Sequence, residues 1–312
     1  MIVQQSSKFH SLIHYIGWPL AVLLIWDVAV TAGYVTLHTT SGLDFPSLPV
    51  TLAGSALVLF LSLRNNAAYA RWWEARTLWG AIVNSSRSFA RQASTLIGAQ
   101  HHVPDGLQQA SGGDAASHRL RRYLVIRQIA YVGALRYHLL KQRPSDMLDT
   151  LDAHEREALS EHANVPNAIL MCNAHDMAQA CRDGALGSYE RVMIEQTLVD
   201  LSNAQGGLER IRNTPLPKQY AQYPRLFVTA FCVLLPLGLV DSLLVYTPIA
   251  STLVGFMLMT MEKMGRDLQD PFSNNEHDVP MASICRTIQI DLLQSIGEKA
   301  PSPATSVAGV LW

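Results

Sequence analysis

Two stretches of this chain, about 11–63 and 226–261, carry almost no charged residues, while the segment between them is crowded with charge. That partition restricts the fold more than any other feature. A helix needs about 20 apolar residues to cross a hydrocarbon core of about 30 Å. Residues 17–37 (GWPLAVLLIWDVAVTAGYVTL) qualify with one internal charge, Asp27, and residues 46–63 (PSLPVTLAGSALVLFLSL) qualify with none. The run 226–261 is too long for one span, and Asp241 and Pro248 near its middle suit a hairpin of two short helices. The sequence therefore predicts an all-α membrane protein with four transmembrane helices in two hairpins and a helical cytosolic region. A cleaved signal peptide is the competing reading of the first run; Asp27 interrupts its core and no A-x-A site follows.

Lys and Arg beside the spans set the orientation. Lys8 precedes the first, Arg64, Arg71 and Arg76 follow the second, Arg212, Lys218 and Arg225 precede the third, and Lys263 and Arg266 follow the fourth. The two outer turns carry none, so both termini and the middle of the chain are expected on the cytoplasmic side of the membrane. The expected boundaries are a cytosolic segment 1–15, a first hairpin 16–64, a helical domain 65–225, a second hairpin 226–262, a cytosolic segment 263–298 and a disordered tail 299–312.

Residues 64–87 (RNNAAYARWWEARTLWGAIVNSSR) follow the second span with no proline or glycine at the junction. The helix is thus expected to leave the bilayer and continue. Trp72 and Trp73 suit the headgroup level, Arg71 and Glu74 form an i,i+3 pair, and Arg64 is placed to snorkel. Further on, 119–142 reads as an amphipathic helix ended by Pro144, and the acid-rich start of 145–162 as a helix capped by Ser145 or Asp146. Two more helices follow. Residues 98–118 read as a polar linker, and Gly206–Gly207 inside a helical pattern suggest close helix packing.

The residues offer little to an enzyme. His101, His102, His118, His154, His162 and His175 show no metal-ligand spacing, and the phosphate-loop, dinucleotide and nucleophile-elbow patterns are absent. No catalytic residue, cofactor or metal site is expected. The four cysteines, Cys172, Cys181, Cys232 and Cys285, lack C-x-x-C spacing and read as small buried thiols. A formal net charge of −1 argues against a nucleic-acid partner. An ionisable residue inside a span is a functional candidate by default; Asp241 reads as interfacial, whereas Asp27 is open between structural pairing and an ion path.

Three stretches carry a family resemblance: 64–87, then 201–217 (LSNAQGGLERIRNTPLP), then 261–281 (MEKMGRDLQDPFSNNEHDVPM). Together with LLPLGLVDSL they resemble the bestrophin family, in its bacterial branch, over about residues 10–297. The resemblance implies a homopentameric channel with one central pore, embedded in membrane lipid and passing small ions. It maps a hydrophobic neck to Ser55, Leu59 and Leu63, at i, i+4 and i+8 before the membrane-exit residues Arg64, Asn65, Asn66, Arg71, Trp72, Trp73 and Glu74. A second constriction is expected before NAQGG, with Ile194 and Leu198 as candidates. Where animal members hold calcium with a dense acidic run, this chain keeps Asp270, Glu276 and Asp278 only, so no tight calcium site is expected. The resemblance to bacterial members, which include cation-selective ones, leans the reading towards monovalent cations, with an uncharged neck that leaves selectivity to the vestibule. The alternatives are an anion-selective channel, a membrane-anchored scaffold without conduction, and a proton-coupled transporter using Asp27.

Overall fold

The computed structural model describes residues 15–41, 49–98, 112–143, 148–306 and 309–312. These are helical, with no strand element among the described residues: α1 (Trp18–Ser41), α2 (Val50–Leu96), α3 (Gly112–Leu140), α4 (Ala153–Ser160), α5 (Val165–Arg182), α6 (Ser188–Asn213), α7 (Lys218–Leu243), α8 (Thr247–Gln269) and α9 (Met281–Ser295). Two compact units result. One comprises the described residues up to Trp72 with Pro215–Pro271, and the other Trp73–Thr214 with Phe272–Trp312. Helix α2, 47 residues without interruption, contributes to both.

In the first unit, side-chain bonds fix the helix directions. Trp26 Nε1 donates to the Val233 carbonyl at 3.0 Å and the Tyr34 hydroxyl to Asp241 Oδ1 at 2.9 Å. Both pairs are 207 residues apart, so α1 and α7 run parallel. Asp27 meets Ser251 and Thr252, and Tyr15 meets Lys263 and Asp267, so α1 runs antiparallel to α8. Helices α7 and α8 form the expected hairpin, turning through Leu244–Tyr246. The turn falls between the two residues expected to mark it: Asp241 sits in the last turn of α7, and Pro248 in the first turn of α8, where its missing N–H costs nothing. At 26 and 23 residues the two helices are not short. Leu23, Leu57, Leu61, Val228, Cys232 and Leu258 pack at the centre.

This unit is apolar outside as well as at its centre, and it encloses several polar groups. Val22, Ile25, Val28, Leu226 and Val233 are exposed, while Asp27, Thr31, Thr247 and Ser251 are buried. A water-soluble bundle turns its apolar stripe inward; exposed apolar faces with interhelical hydroxyl bonds are what lipid permits. Trp18–His38 and Lys218–Gln269 are long and apolar enough to cross a membrane. The expected second span begins at residues outside the described set, as do Lys8, His101, His102, Pro144, Ser145 and Asp146.

The second unit is built around α3. The sequence reads this helix as amphipathic, with its arginines outside; the structure buries every residue from Leu124 to Leu135. Arg127 lies inside because α4 and α5 bring it counter-charges: Glu155 Oε1 at 2.7 Å, Asp176 Oδ2 at 2.6 Å, and Asn173 Oδ1 at 3.2 Å. Gln128 donates to Ser86 Oγ at 3.0 Å. Helix α4 is capped by Asp152, which accepts from the Glu155 N–H. Gly207 of α6 allows the close approach expected of it, since a Cβ there would meet Leu78 of α2 at 2.7 Å. The chain end also differs from the disordered tail expected. The Ser283 N–H donates to the Trp312 carbonyl at 2.6 Å, so residues 309–312 lie against the start of α9, satisfying a donor that the first turn of a helix leaves open.

Candidate functional site: the exposed row and membrane-exit residues of the long helix

Helix α2 separates its residues by face. Leu57, Leu61, Arg64, Ala68, Ala75, Trp79, Ile82, Phe89 and Ala93 are buried, recurring at steps of three, four or seven residues. Ser55, Leu59 and Leu63 fall on the other side. Leu59 is 63% exposed and Leu63 58%, so neither packs into the bundle of its own chain. The Ser55 hydroxyl donates to the Thr51 carbonyl at 2.8 Å, which spends its proton within the helix and leaves its oxygen lone pairs outward.

Arg64 departs from expectation. It does not snorkel; its side chain is fully buried. Nη1 donates to the Glu262 carbonyl at 2.8 Å, Nε to the Tyr220 carbonyl at 3.2 Å, and Nη2 to Gln269 Oε1 at 3.3 Å. The amide of Asn65 donates to the Met261 carbonyl at 2.9 Å. The physical reason is the supply of acceptors: α7 and α8 present three oxygens to one planar fork of donors, which replaces the water a snorkelling arginine would seek. Arg64 and Asn65 therefore fasten α2 to α8 directly below the exposed row, while Asn66 stays exposed.

Gly265 makes this possible, and the sequence reading passed over it. A Cβ at that position would fall onto Asn65 Oδ1 and within 2.5 Å of Arg64 Nη1. The available signal was a glycine inside the helical stretch MEKMGRDLQ, the same signal noted at Gly206–Gly207.

The remaining exit residues divide. Arg71 and Trp72 are half-buried, with the Trp72 ring 6.3 Å from that of Tyr69, and Trp73 is exposed. Glu74 pairs with Arg210 of α6 rather than forming the expected helix-local pair with Arg71, because α6 brings a guanidinium alongside. Asp27 accepts from Ser251 Oγ at 3.0 Å and Thr252 Oγ1 at 2.8 Å, and Thr31 Oγ1 donates to its backbone carbonyl.

Ile194 and Leu198 are corrected by the fold. They are 0% and 4% exposed and belong to the core-facing row of α6, with Leu201 and Leu208. A residue enclosed by its own chain cannot line an opening. Val192 and Val199 occupy the outward side of α6. Asp270 caps the C-terminus of α8, Glu276 is exposed beside His277, and Asp278 is buried with Oδ2 accepting the Asn275 N–H. Among the described residues, no group of three or more His, Cys, Asp or Glu side chains is arranged to hold a metal ion.

Comparison with known proteins supplies the family. The family model for the bacterial/fungal bestrophin protein matches residues 6–294. The voltage-dependent anion channel-forming protein YneE of Escherichia coli strain K12 is 32% identical over 268 residues, covering 86% of this chain and 82% of that protein. The voltage-dependent anion channel-forming protein RSc3414 of Ralstonia nicotianae is 32% identical over 279 residues, covering 89% and 86%. Among solved structures, a bacterial bestrophin homologue from Klebsiella pneumoniae superposes with a TM-score of 0.79 at 27% identity, covering 90% of this chain and 98% of that one.

Proposed function

The chain belongs to the bacterial/fungal bestrophin family, and we propose that it works as an ion channel: a homo-oligomer, pentameric by family resemblance, that conducts monovalent ions across the bacterial inner membrane with both termini on the cytoplasmic side. The observation that carries this reading is the row Ser55, Leu59 and Leu63, exposed on the side of α2 that faces away from its own bundle. Two leucines and a serine spaced by four along one exposed helix face are what copies of one helix converging on an axis would turn inward, away from lipid. Repeated around that axis, they form a narrow apolar neck that passes ions when wet and blocks them when dry.

The neck carries no formal charge and does not choose between cations and anions. The cation preference that the resemblance first suggested is not supported by the relatives, whose names describe voltage-dependent anion channels. We therefore read this channel as passing anions. A second constriction, if formed by α6, uses its outward Val192 and Val199. Asp27, with two hydroxyls satisfying its carboxylate, serves in this reading as a polar tie between α1 and α8.

The test is planar-bilayer recording of the purified protein under asymmetric salt. A current whose reversal potential lies near the anion value supports the reading, and Leu63→Ala is expected to alter permeation. A current reversing near the cation value keeps the channel and removes the anion assignment. Absence of current from an intact oligomer, with Leu63→Ala equally silent, leaves a membrane-anchored scaffold.

A further inference from the structure

We infer that Arg91 sets the charge preference of the ion pathway, as a ring of guanidinium groups on the same helix that supplies the neck; this rests on reading α2 as the pore helix. A helix returns to the same direction about every 18 residues, five turns of 3.6. Counting from Ser55, that rule gives Trp73 and then Arg91, all within the uninterrupted α2 and all exposed. Between the neck and the end of α2 this row is made of small or uncharged residues, among them Asn66, Ala70, Thr77 and Asn84. Such a lining suits water. Arg91 is the charged residue on it.

Two of the charges flanking the row are neutralised, and a third, Arg76, stands about 60° off it. On one side, Glu74 is held by Arg210. On the other, Arg87 directs both Nε and Nη2 to Asp291 Oδ2, at 2.8 and 2.6 Å. Arg91 is different: among the described residues its guanidinium reaches only Ser88 Oγ, at 3.4 Å, a marginal bond to a neutral group. It borders an open groove of about 310 Å³ between α2 and α9, whose other lining includes Ser94, Thr95, Ser295 and the Arg87–Asp291 pair. The groove offers a hydrated small anion room beside a cation that no carboxylate of the described residues compensates. Repeated by symmetry, rings of like charge along an aqueous approach raise the local concentration of the counter-ion and favour its passage.

The experiment is reversal-potential measurement in asymmetric potassium chloride for the wild type, Arg91→Gln, Arg91→Glu and, as a control, Arg76→Gln, which removes the same charge from an exposed position about 60° off the row. The expected result is a shift towards the cation value with Arg91→Gln, a larger shift with Arg91→Glu, and little change in the control. An unchanged reversal potential in Arg91→Glu overturns the inference, as does an equal shift in Arg76→Gln. Leu63→Ala separates the two levels. If it alters permeation while Arg91→Glu does nothing, the pore reading stands and Arg91 fails alone; if neither the wild type nor Leu63→Ala conducts, both fail. Should Arg91→Glu not assemble, Arg91→Cys in a background with Cys172 and Cys181 replaced by serine gives a second readout. A negatively charged thiol reagent is then expected to move the reversal potential towards the cation value and a positively charged one to restore it; no effect of either reagent on conducting channels overturns the inference.

Discussion

Gly265 of α8 leaves open the space that the Arg64 guanidinium of α2 fills, a Cβ there standing 2.5 Å from Arg64 Nη1. In most helices, replacing glycine by alanine stabilises by about 1 kcal/mol, because glycine has more backbone freedom to lose. Here the sign is expected to reverse. Gly265→Ala must displace Arg64 and Asn65 from the Glu262 and Met261 carbonyls, and overpacking of this kind costs about 1–3 kcal/mol. Gly33 of α1 is the internal control, since a Cβ there meets nothing within 4 Å. Thermal unfolding in detergent is expected to show Gly265→Ala lowered and Gly33→Ala unchanged or raised; equal behaviour of the two contradicts the packing argument.

The two sides of α2 are expected to respond differently to truncation. Leu61→Ala removes a fully buried side chain and should destabilise by about 2–4 kcal/mol with little direct effect on permeation. Leu59→Ala and Leu63→Ala remove exposed side chains and should cost little stability while increasing single-channel conductance, as a wider neck wets more readily. Bilayer recordings paired with melting curves of the same preparations check both. If Leu61→Ala raised conductance as much as Leu63→Ala did, the assignment of faces would be wrong.

Asp27 separates a structural tie from an ion path. Asn keeps an acceptor for Ser251 or Thr252, so Asp27→Asn is expected within about 1 kcal/mol of wild type, whereas Asp27→Ala should lose about 1–3 kcal/mol with the bonds it removes. Reversal potential and conductance should be unaltered in Asp27→Asn. A conductance change without a stability change would instead put Asp27 on the permeation route.

Asp152 gives the second unit a defined acid response. The Glu155 N–H that its side chain caps holds its carboxyl below the ordinary carboxylate range, with help from the Tyr123 hydroxyl at 3.4 Å. A carboxyl depressed by folding contributes stability that is present above its unfolded value of about 3.9 and is lost as pH falls through the lower folded value. Asp152→Asn retains the capping oxygen but not the charge. The wild type should melt higher than Asp152→Asn at neutral pH, and the difference should close below about pH 4. A difference that persists or widens in acid would mean that the cap charge is not the source.

The sequence by itself determined the helical class, the apolar runs and the continuity of α2. Each of these is local: span length, the absence of proline and glycine between Ser62 and Arg71, and the three-and-four periodicity of buried residues are all properties of neighbouring positions. The row Ser55, Leu59 and Leu63 was drawn from the family resemblance; its spacing keeps it on one helix face.

Only tertiary structure decided where the polar groups find partners. Arg64 reads from sequence as a snorkelling charge, Arg127 as a surface arginine of an amphipathic helix, and Arg71 with Glu74 as a local pair; in the fold the first binds carbonyls of α7 and α8, the second is buried between two carboxylates, and Glu74 goes to Arg210. Ile194 and Leu198 fail as lining residues because whether an apolar residue faces a core or an opening depends on what packs against it. Hydrogen bonds and ion pairs join residues far apart in the chain, up to 252 positions for Tyr15 and Asp267, and no local pattern encodes a partner at that distance. Burial pattern is written in the period of a helix; pairing is written in the meeting of helices.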